Sequence, residues 1–136
     1  FFEAKQKKEK YIKLWGTGSS VRDMMHVDML SSAIYFVLKN LHKEQLVKDI
    51  YKNGFINVGS GKGVSIKQLA IKLKKISGFK GKLLFDMNKN LDGMPKRVLN
   101  TKKLKKNGFK HNFNLGNSLK GVYQFYENNY NKISRK

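Results

Sequence analysis

The stretch LWGTGSSVRDMMHVD, from Leu14 to Asp28, decides how we interpret this chain. A short run ends at Trp15, and Gly16 and Gly18 follow in a polar turn. Glycines let the backbone approach a ligand closely because they lack a Cβ atom. Arg22 adds a planar fork of donors that matches phosphate or carboxylate. The pattern predicts an anion-binding site. The alternative is a plain strand, turn and helix cap without a ligand.

The rest of the chain alternates short apolar runs with helical periodicity. We predict an α/β fold with strands at residues 11–15, 54–61 and 82–85. Helices are predicted at residues 1–10 (the end of a helix), 28 to about 40, 65–77, 101–107 and from 115 onward, with a further turn within 46–50 and a frayed tail at 131–136.

The helix ends carry specific signals. Asp28 stands where an N-cap is expected, and Asn114 stands at the same place before the last helix. Ser65 and Gln68 match a capping box, and Gly78 suits the C-terminal end of that helix. The helix after Asp28 is predicted to bury one face, made of Met29, Leu30, Ala33, Ile34, Val37, Leu38 and Leu41.

Length and composition favour one ordinary domain over residues 1–136, because the sequence has no linker or repeat. No apolar run is long enough to cross a bilayer, no leader peptide is evident, and there is no cysteine. We therefore expect a cytoplasmic protein that does not contact a membrane. The chain starts at Phe1 within what reads as a helix, so we expect that preceding sequence is missing.

The net charge of +20 comes from 29 basic and 9 acidic residues. Only Arg22, Arg97 and Arg135 are arginines, although arginine is the side chain preferred for reading bases and phosphates. The lysines are spread over the whole length. We therefore interpret the charge as a solvated surface and not as a nucleic-acid interface.

Two glycine-rich turns resemble cofactor loops but have the wrong spacing. Residues 59–63, GSGKG, place Gly63 where a phosphate loop needs Ser or Thr, and Val21 stands where the turn at residues 16–18 would need a third glycine. The three histidines lie far apart, which argues against a metal site. We predict no catalytic, cofactor-binding or metal-binding residue in this chain.

Several segments, in the same order, resemble the GDP-L-fucose synthases, which are extended short-chain dehydrogenase/reductases. Residues 15–19 look like the family's W-G-[ST]-G-[ST] turn, and residues 22–28 are similar to its R-[ED]-F-[LI]-H-V-D run. Residues 56–61 resemble I-N-V-G-[ST]-G, and residues 92–95 look like the D-G-T-P loop with Met94 in place of threonine. The resemblance covers nearly the whole chain and matches the C-terminal portion of the family.

This resemblance implies the substrate-binding part of a Rossmann-type enzyme, without the N-terminal Rossmann core. It implies that Trp15, Arg22 and Asp92 contact a GDP-sugar. Lys96 and Arg97 are the candidates for phosphate contact, and their order is reversed relative to the family's Arg-Lys pair. The structural alternatives are a buried tryptophan, an ion pair of Arg22 with Asp23, and a turn-forming Asp-Gly.

The family's reaction is epimerisation and reduction of GDP-4-keto-6-deoxymannose to GDP-L-fucose. The resemblance implies that NADP and the catalytic residues belong to the N-terminal part, so this chain is expected to be inactive alone. It also implies a homodimeric intact enzyme. The alternatives are another nucleotide-sugar epimerase or dehydratase, and a non-enzymatic basic module that binds polyanions.

Overall fold

The computed structural model describes residues 1–52, 54–87 and 92–134. The helices are α1 (Phe2–Gln6), α2 (Val27–Lys39), α3 (Glu44–Tyr51), α4 (Ile66–Ser77), α5 (Lys102–Lys106) and α6 (Leu115–Ile133). The strands are β1 (Tyr11–Leu14), β2 (Val21–Asp23), β3 (Gly63–Ser65), β4 (Lys82–Phe85) and β5 (Lys96–Arg97). The α/β class predicted from the sequence is confirmed.

The strands form one two-stranded and one three-stranded sheet. Strands β1 and β4 pair in parallel, with Tyr11 opposite Lys82 and Leu14 opposite Phe85. The other sheet has the order β3-β2-β5. The strands predicted near residues 11–15 and 82–85 are confirmed. The strand predicted at 54–61 is wrong, because residues 54–61 carry no strand and β3 begins only at Gly63.

The chain divides into two compact units, each built from separate segments. Unit 1 comprises Phe1–Arg22, Val64–Lys96 and Asn114–Lys136, and unit 2 comprises Asp23–Gly63 and Arg97–Phe113. The single domain over residues 1–136 stays a prediction.

In unit 1, an aromatic cluster packs the first helix against the last. The ring of Phe2 lies 4.8 Å from that of Tyr130 and 5.9 Å from that of Tyr126, measured between centroids. Helix α1 ends at Gln6, earlier than the predicted Lys10, and α6 continues to Ile133, past the predicted start of the tail at Asn131. Residues 135–136 of that tail lie outside the described residues.

Helix α4 begins and ends as its sequence predicts. The Ser65 hydroxyl accepts from the Gln68 amide at 3.1 Å, and the Gln68 side chain accepts from the Ser65 amide at 3.0 Å. Gly78 takes the left-handed conformation at φ +70°, which glycine adopts without a Cβ penalty. Asn114 likewise caps α6 by accepting from the Asn117 amide at 3.0 Å.

In unit 2, the predicted cap of α2 is wrong. His26 is the N-cap, and its Nδ1 atom lies 3.3 Å from the Asp28 amide. Asp28 sits instead in the first turn, where its charge still complements the helix dipole. The helix begins one residue earlier than the predicted Asp28.

The buried face of α2 is narrower than its periodicity predicts. Met29 and Ala33 are buried together with Leu104 and Phe109. Leu30, Ile34, Leu38 and Leu41 are exposed, with Leu38 as much as 63% accessible. The prediction that they are buried is therefore wrong, because within unit 2 only the narrow face of the helix that contains Met29 and Ala33 is buried. No helix among the described residues is long and apolar enough to span a membrane.

Candidate functional site

The turn at residues 16–20 is held by a carboxylate from the distant loop that contains Asp92. Asp92 Oδ1 accepts from the Thr17 amide at 2.7 Å, and Asp92 Oδ2 accepts from the Thr17 hydroxyl at 2.5 Å. The Ser19 hydroxyl adds a longer contact to Oδ2 at 3.3 Å, and the Ser20 hydroxyl donates to the Asp92 carbonyl at 2.6 Å. We call this set of bonds to Thr17, Ser19 and Ser20 the Asp92 clamp.

The clamp changes the acidity of its carboxyl group. The hydrogen bond from the Thr17 hydroxyl is the largest cause, and it lowers the pKa of Asp92 below its ordinary value. Hydrogen bonds to the charged form favour that form. Asp92 is therefore a charged acceptor whose bonds fix the position of the turn.

The glycines of this turn are required by the close approach of other groups. Gly16 has φ +72°, and a Cβ atom there would lie 2.3 Å from Asp92 Oδ1. Gly18 has φ +75°, and a Cβ atom there would lie 2.6 Å from the ring of Phe85. The space above Gly16 is already filled by a carboxylate, so this turn does not fit the pyrophosphate of a dinucleotide.

Arg22 fastens the same loop from strand β2. Its Nη1 atom donates to the carbonyls of Val21 at 2.9 Å and Met94 at 2.7 Å, and Nη2 donates to the Asp92 carbonyl at 3.3 Å. A guanidinium group has five N–H donors. The Nε–H and one N–H on Nη2 thus have no partner among the described residues. Arg22 and Asp92, both predicted site residues, come together here.

The other predicted site residues are exposed to solvent. Trp15, directly before the turn, is 82% accessible, which rules out the buried tryptophan that the sequence left as an alternative. Lys96 and Arg97 form strand β5 and are both exposed. The ion pair of Arg22 with Asp23 is not among the ion pairs of the described residues.

A second carboxylate, which we did not predict, holds the glycine turn of unit 2. Asp23 Oδ1 accepts from the amide of Ser60 at 3.0 Å and from its hydroxyl. Asp23 Oδ2 accepts from the amides of Gly61 at 3.0 Å and Leu99 at 3.3 Å. We call this set the Asp23 clamp. Because the amides of Ser60 and Gly61 already bond to Asp23, these amides are not available to a phosphate group.

Known proteins resemble this chain in sequence and in fold. No protein-family model matches the chain. The chain is 35% identical over 129 residues to a probable GDP-L-fucose synthase 1 of Oryza sativa subsp. japonica, and 31% identical over 133 residues to the GDP-L-fucose synthase of Escherichia coli. These matches cover 95% and 98% of this chain, but only 36% and 41% of the relatives.

The chain matches the C-terminal part of the GDP-L-fucose synthases. It spans little more than a third of the length of these relatives, which are enzymes. The fold agrees with a solved structure of MlghC, a GDP-mannoheptose C4 reductase from Campylobacter jejuni with NADP bound. That structure superposes with a TM-score of 0.74 at 32% identity, over 88% of this chain and 35% of the other. The family resemblance seen in the sequence is confirmed.

Proposed function

We propose that this chain supplies the GDP-sugar-binding portion of an NADP-dependent GDP-L-fucose synthase. The observation that carries the proposal is the match to the C-terminal part of these synthases over 95% of the chain. The relative from Campylobacter is also named for a GDP-sugar, although its sugar is a heptose. GDP is thus the common element, and the sugar is the finer part of the proposal.

The exposed residues of unit 1 suit a nucleotide sugar chemically. Trp15 offers a flat apolar face for stacking, and sites of this kind combine aromatic walls with a few polar groups. Arg22 is held in place by three carbonyl contacts, and its remaining N–H groups, which have no partner among the described residues, can pair with diphosphate. Lys96 is exposed on the same unit and supplies a further positive charge. For Arg97, phosphate contact stays a prediction.

Asp92 has a positioning role in this proposal. Most of its acceptor capacity is used by Thr17 and Ser19, so its main effect is to hold the turn beside Trp15. Its direct contact with a sugar or ribose hydroxyl stays a prediction from the family resemblance. The D-G-x-P loop therefore contributes to binding chiefly through the shape of the turn.

The catalytic steps belong to the part of the enzyme outside this chain. NADP supplies the hydride there, and the turn at Gly16 does not fit its pyrophosphate because Asp92 fills that space. We propose that the intact enzyme epimerises and then reduces a GDP-4-keto sugar as a homodimer. Its cytoplasmic location stays a prediction to be tested by cell fractionation.

Trp15 is the only tryptophan of the chain, so its fluorescence tests the proposal directly. We expect a saturable change in emission when GDP-fucose is added to the purified chain, with a weaker response to UDP-glucose. Arg22→Gln removes a charge-assisted contact and should weaken GDP-fucose binding about tenfold. Lys72→Gln, on the exposed side of α4, is the control for net charge.

The outcomes separate the proposal from its rivals. No saturable change, or equal weakening by Arg22→Gln and Lys72→Gln, would contradict it. A polyanion-binding module would lose affinity steeply with salt and would not distinguish one sugar from another. Preference for a UDP-sugar would indicate another nucleotide-sugar epimerase or dehydratase.

Activity provides a second test. We expect the purified chain to oxidise no NADPH in the presence of the GDP-4-keto sugar, because it contains no site that fits the dinucleotide at its glycine turns. The control is an intact GDP-L-fucose synthase in the same assay. Measurable oxidation by this chain alone would overturn the assignment of catalysis to another part of the enzyme.

A further inference from the structure

Unit 2 contains a small cavity whose lining combines apolar side chains with polar and basic ones. It measures about 190 Å³ and is lined by Met29, Gly59, Ser60, Lys62, Thr101, Leu104, Lys105, Phe109, His111 and Phe113. Three of these side chains are basic or titratable to a cation (Lys62, Lys105 and His111), and none is acidic. The volume lies below the range of about 300–1,000 Å³ typical of pockets for whole cofactors and drug-sized ligands. A small anion fits this cavity better than a nucleotide.

Thr101 supplies an unpaired polar group at this cavity. Its side chain lines the cavity, although the residue is only 5% accessible. The hydroxyl does not cap α5 and has no hydrogen-bond partner among the described residues. Among the described residues, the buried side-chain polar atom without a partner is Tyr123 Oη, so the Thr101 hydroxyl is accessible from the cavity and can donate to a ligand there.

The Thr101 hydroxyl and the Lys105 ammonium group both lie close to Gly61. A Cβ atom built on Gly61, which has φ +69°, would lie 2.9 Å from Thr101 Oγ1 and 3.5 Å from Lys105 Nζ. Both groups therefore border the same small volume beside the turn. A neutral donor and a cation that converge in this way suit the oxygens of a phosphate group.

The carboxylate that holds the adjacent glycine turn already accepts four hydrogen bonds. Asp23 accepts from the amides of Ser60, Gly61 and Leu99 and does not line the cavity. The Ser60 hydroxyl donates to Asp23 and so is not available to a ligand as a donor. The groups left for an anion are the Thr101 hydroxyl, the two lysines and His111.

We propose that this cavity is a binding site for a small oxyanion of the phosphate class, held by Thr101 and Lys105 with Lys62 and His111 around it. The site lies wholly within unit 2. It does not depend on the proposed GDP-sugar site, whose Trp15 and Arg22 belong to unit 1.

The test uses the full 136-residue chain labelled with ¹⁵N and titrated with sodium phosphate against sodium chloride at equal ionic strength. We expect saturable shifts of the amide signals of Gly61, Thr101 and Lys105. Lys105→Gln should weaken phosphate binding at least about fivefold. Lys102→Gln, on the same helix but outside the cavity lining, should leave binding unchanged.

A second variant and a second ligand distinguish the remaining outcomes. Thr101→Val should also weaken binding, and if that variant does not fold, the exposed Lys105 still decides the matter. Tighter binding of glycerol 3-phosphate than of inorganic phosphate would assign the site to a terminal phosphate group, and the reverse would assign it to the free ion. Equal affinity in Lys105→Gln and Lys102→Gln, or shifts at lysines throughout the chain without saturation, would overturn the proposal.

Discussion

The two glycine turns of this chain look alike in sequence, and each is held by an internal aspartate with a different set of donors. The Asp92 clamp takes hydroxyl groups of Thr17 and Ser19 together with one strong amide contact. The Asp23 clamp takes three main-chain amides and one hydroxyl. Glycine turns with free amides attract anions, and here the anion at each turn is supplied by the chain.

The difference lies in what remains unsatisfied when the aspartate is lost. The main-chain amide of Ser60, a residue that is only 8% accessible, cannot rotate away to find another acceptor, whereas the amides of Gly61 and Leu99 lie in exposed positions. The hydroxyls of Thr17 and Ser19 can rotate toward water, and Ser19 is exposed. The Asp23 clamp should therefore matter more for stability than the Asp92 clamp.

The largest expected effect comes from Asp23→Ala. It leaves the amides of Ser60, Gly61 and Leu99 without their acceptor, and we expect a loss of about 2–4 kcal/mol in the free energy of unfolding in urea. Asp28→Ala removes an equal charge from the exposed first turn of α2 and should cost less than about 1 kcal/mol. Similar losses in the two variants would contradict the role of Asp23.

A smaller effect is expected from Gly16→Ala. The new Cβ atom would lie 2.3 Å from Asp92 Oδ1 at a positive φ. Gly78→Ala is the matched control, since Gly78 has nearly the same φ of +70° and no atom within 4 Å of the added Cβ. Gly16→Ala should cost about 1–3 kcal/mol more than Gly78→Ala in urea unfolding. Equal costs would show that Asp92 can move away from the added methyl group without loss of stability.

The smallest effect is a pH dependence at Asp92. Because its pKa is lowered in the folded protein, the Asp92 clamp stabilises the chain above the ordinary carboxyl pKa and loses that effect as pH falls through the lowered value. The difference in free energy of unfolding between the wild type and Asp92→Asn should therefore shrink between about pH 6 and about pH 2.

Thr17→Val provides the control for this pH dependence, because it removes the hydroxyl that lowers the pKa of Asp92 most. In the Thr17→Val background, the difference caused by Asp92→Asn should change less with pH. A difference between wild type and Asp92→Asn that stays constant down to about pH 2 would mean that Asp92 has an ordinary pKa in the folded chain.

The features predicted correctly from sequence are those that depend on neighbours in the chain. The capping box of Ser65 and Gln68 spans three residues, and Gly78 ends the same helix by its own conformational freedom. Strands β2, β3 and β5 were not predicted, because segments of two or three residues become strands only through pairing with distant ones. The apolar run at 54–61 was mistaken for a strand for the same reason, since it pairs with no strand in the part of the chain that the structure describes.

In the candidate site, too, the contacts between distant residues were not predicted. Trp15, Arg22, Asp92, Lys96 and Arg97 were selected by resemblance to a family. The partners of Asp92 and Asp23 were not foreseen, because Thr17 lies 75 residues from Asp92 and Ser60 lies 37 residues from Asp23. A glycine turn with free amides does signal that an acceptor is needed. It does not indicate which of the chain's carboxylates provides it.

The interleaved order of the two units has a consequence for synthesis on the ribosome. Strand β1 cannot pair until β4 has been synthesised, and the first residue of β4 lies 71 positions after that of β1. Asp23 likewise cannot form its hydrogen bonds until Ser60 and Leu99 have been synthesised. Unit 2 is complete only when Phe113 has emerged, and unit 1 only after the segment that contains α6. Contacts between distant segments slow folding. The nascent chain should therefore expose its apolar strands for longer than a protein whose units follow one another in sequence.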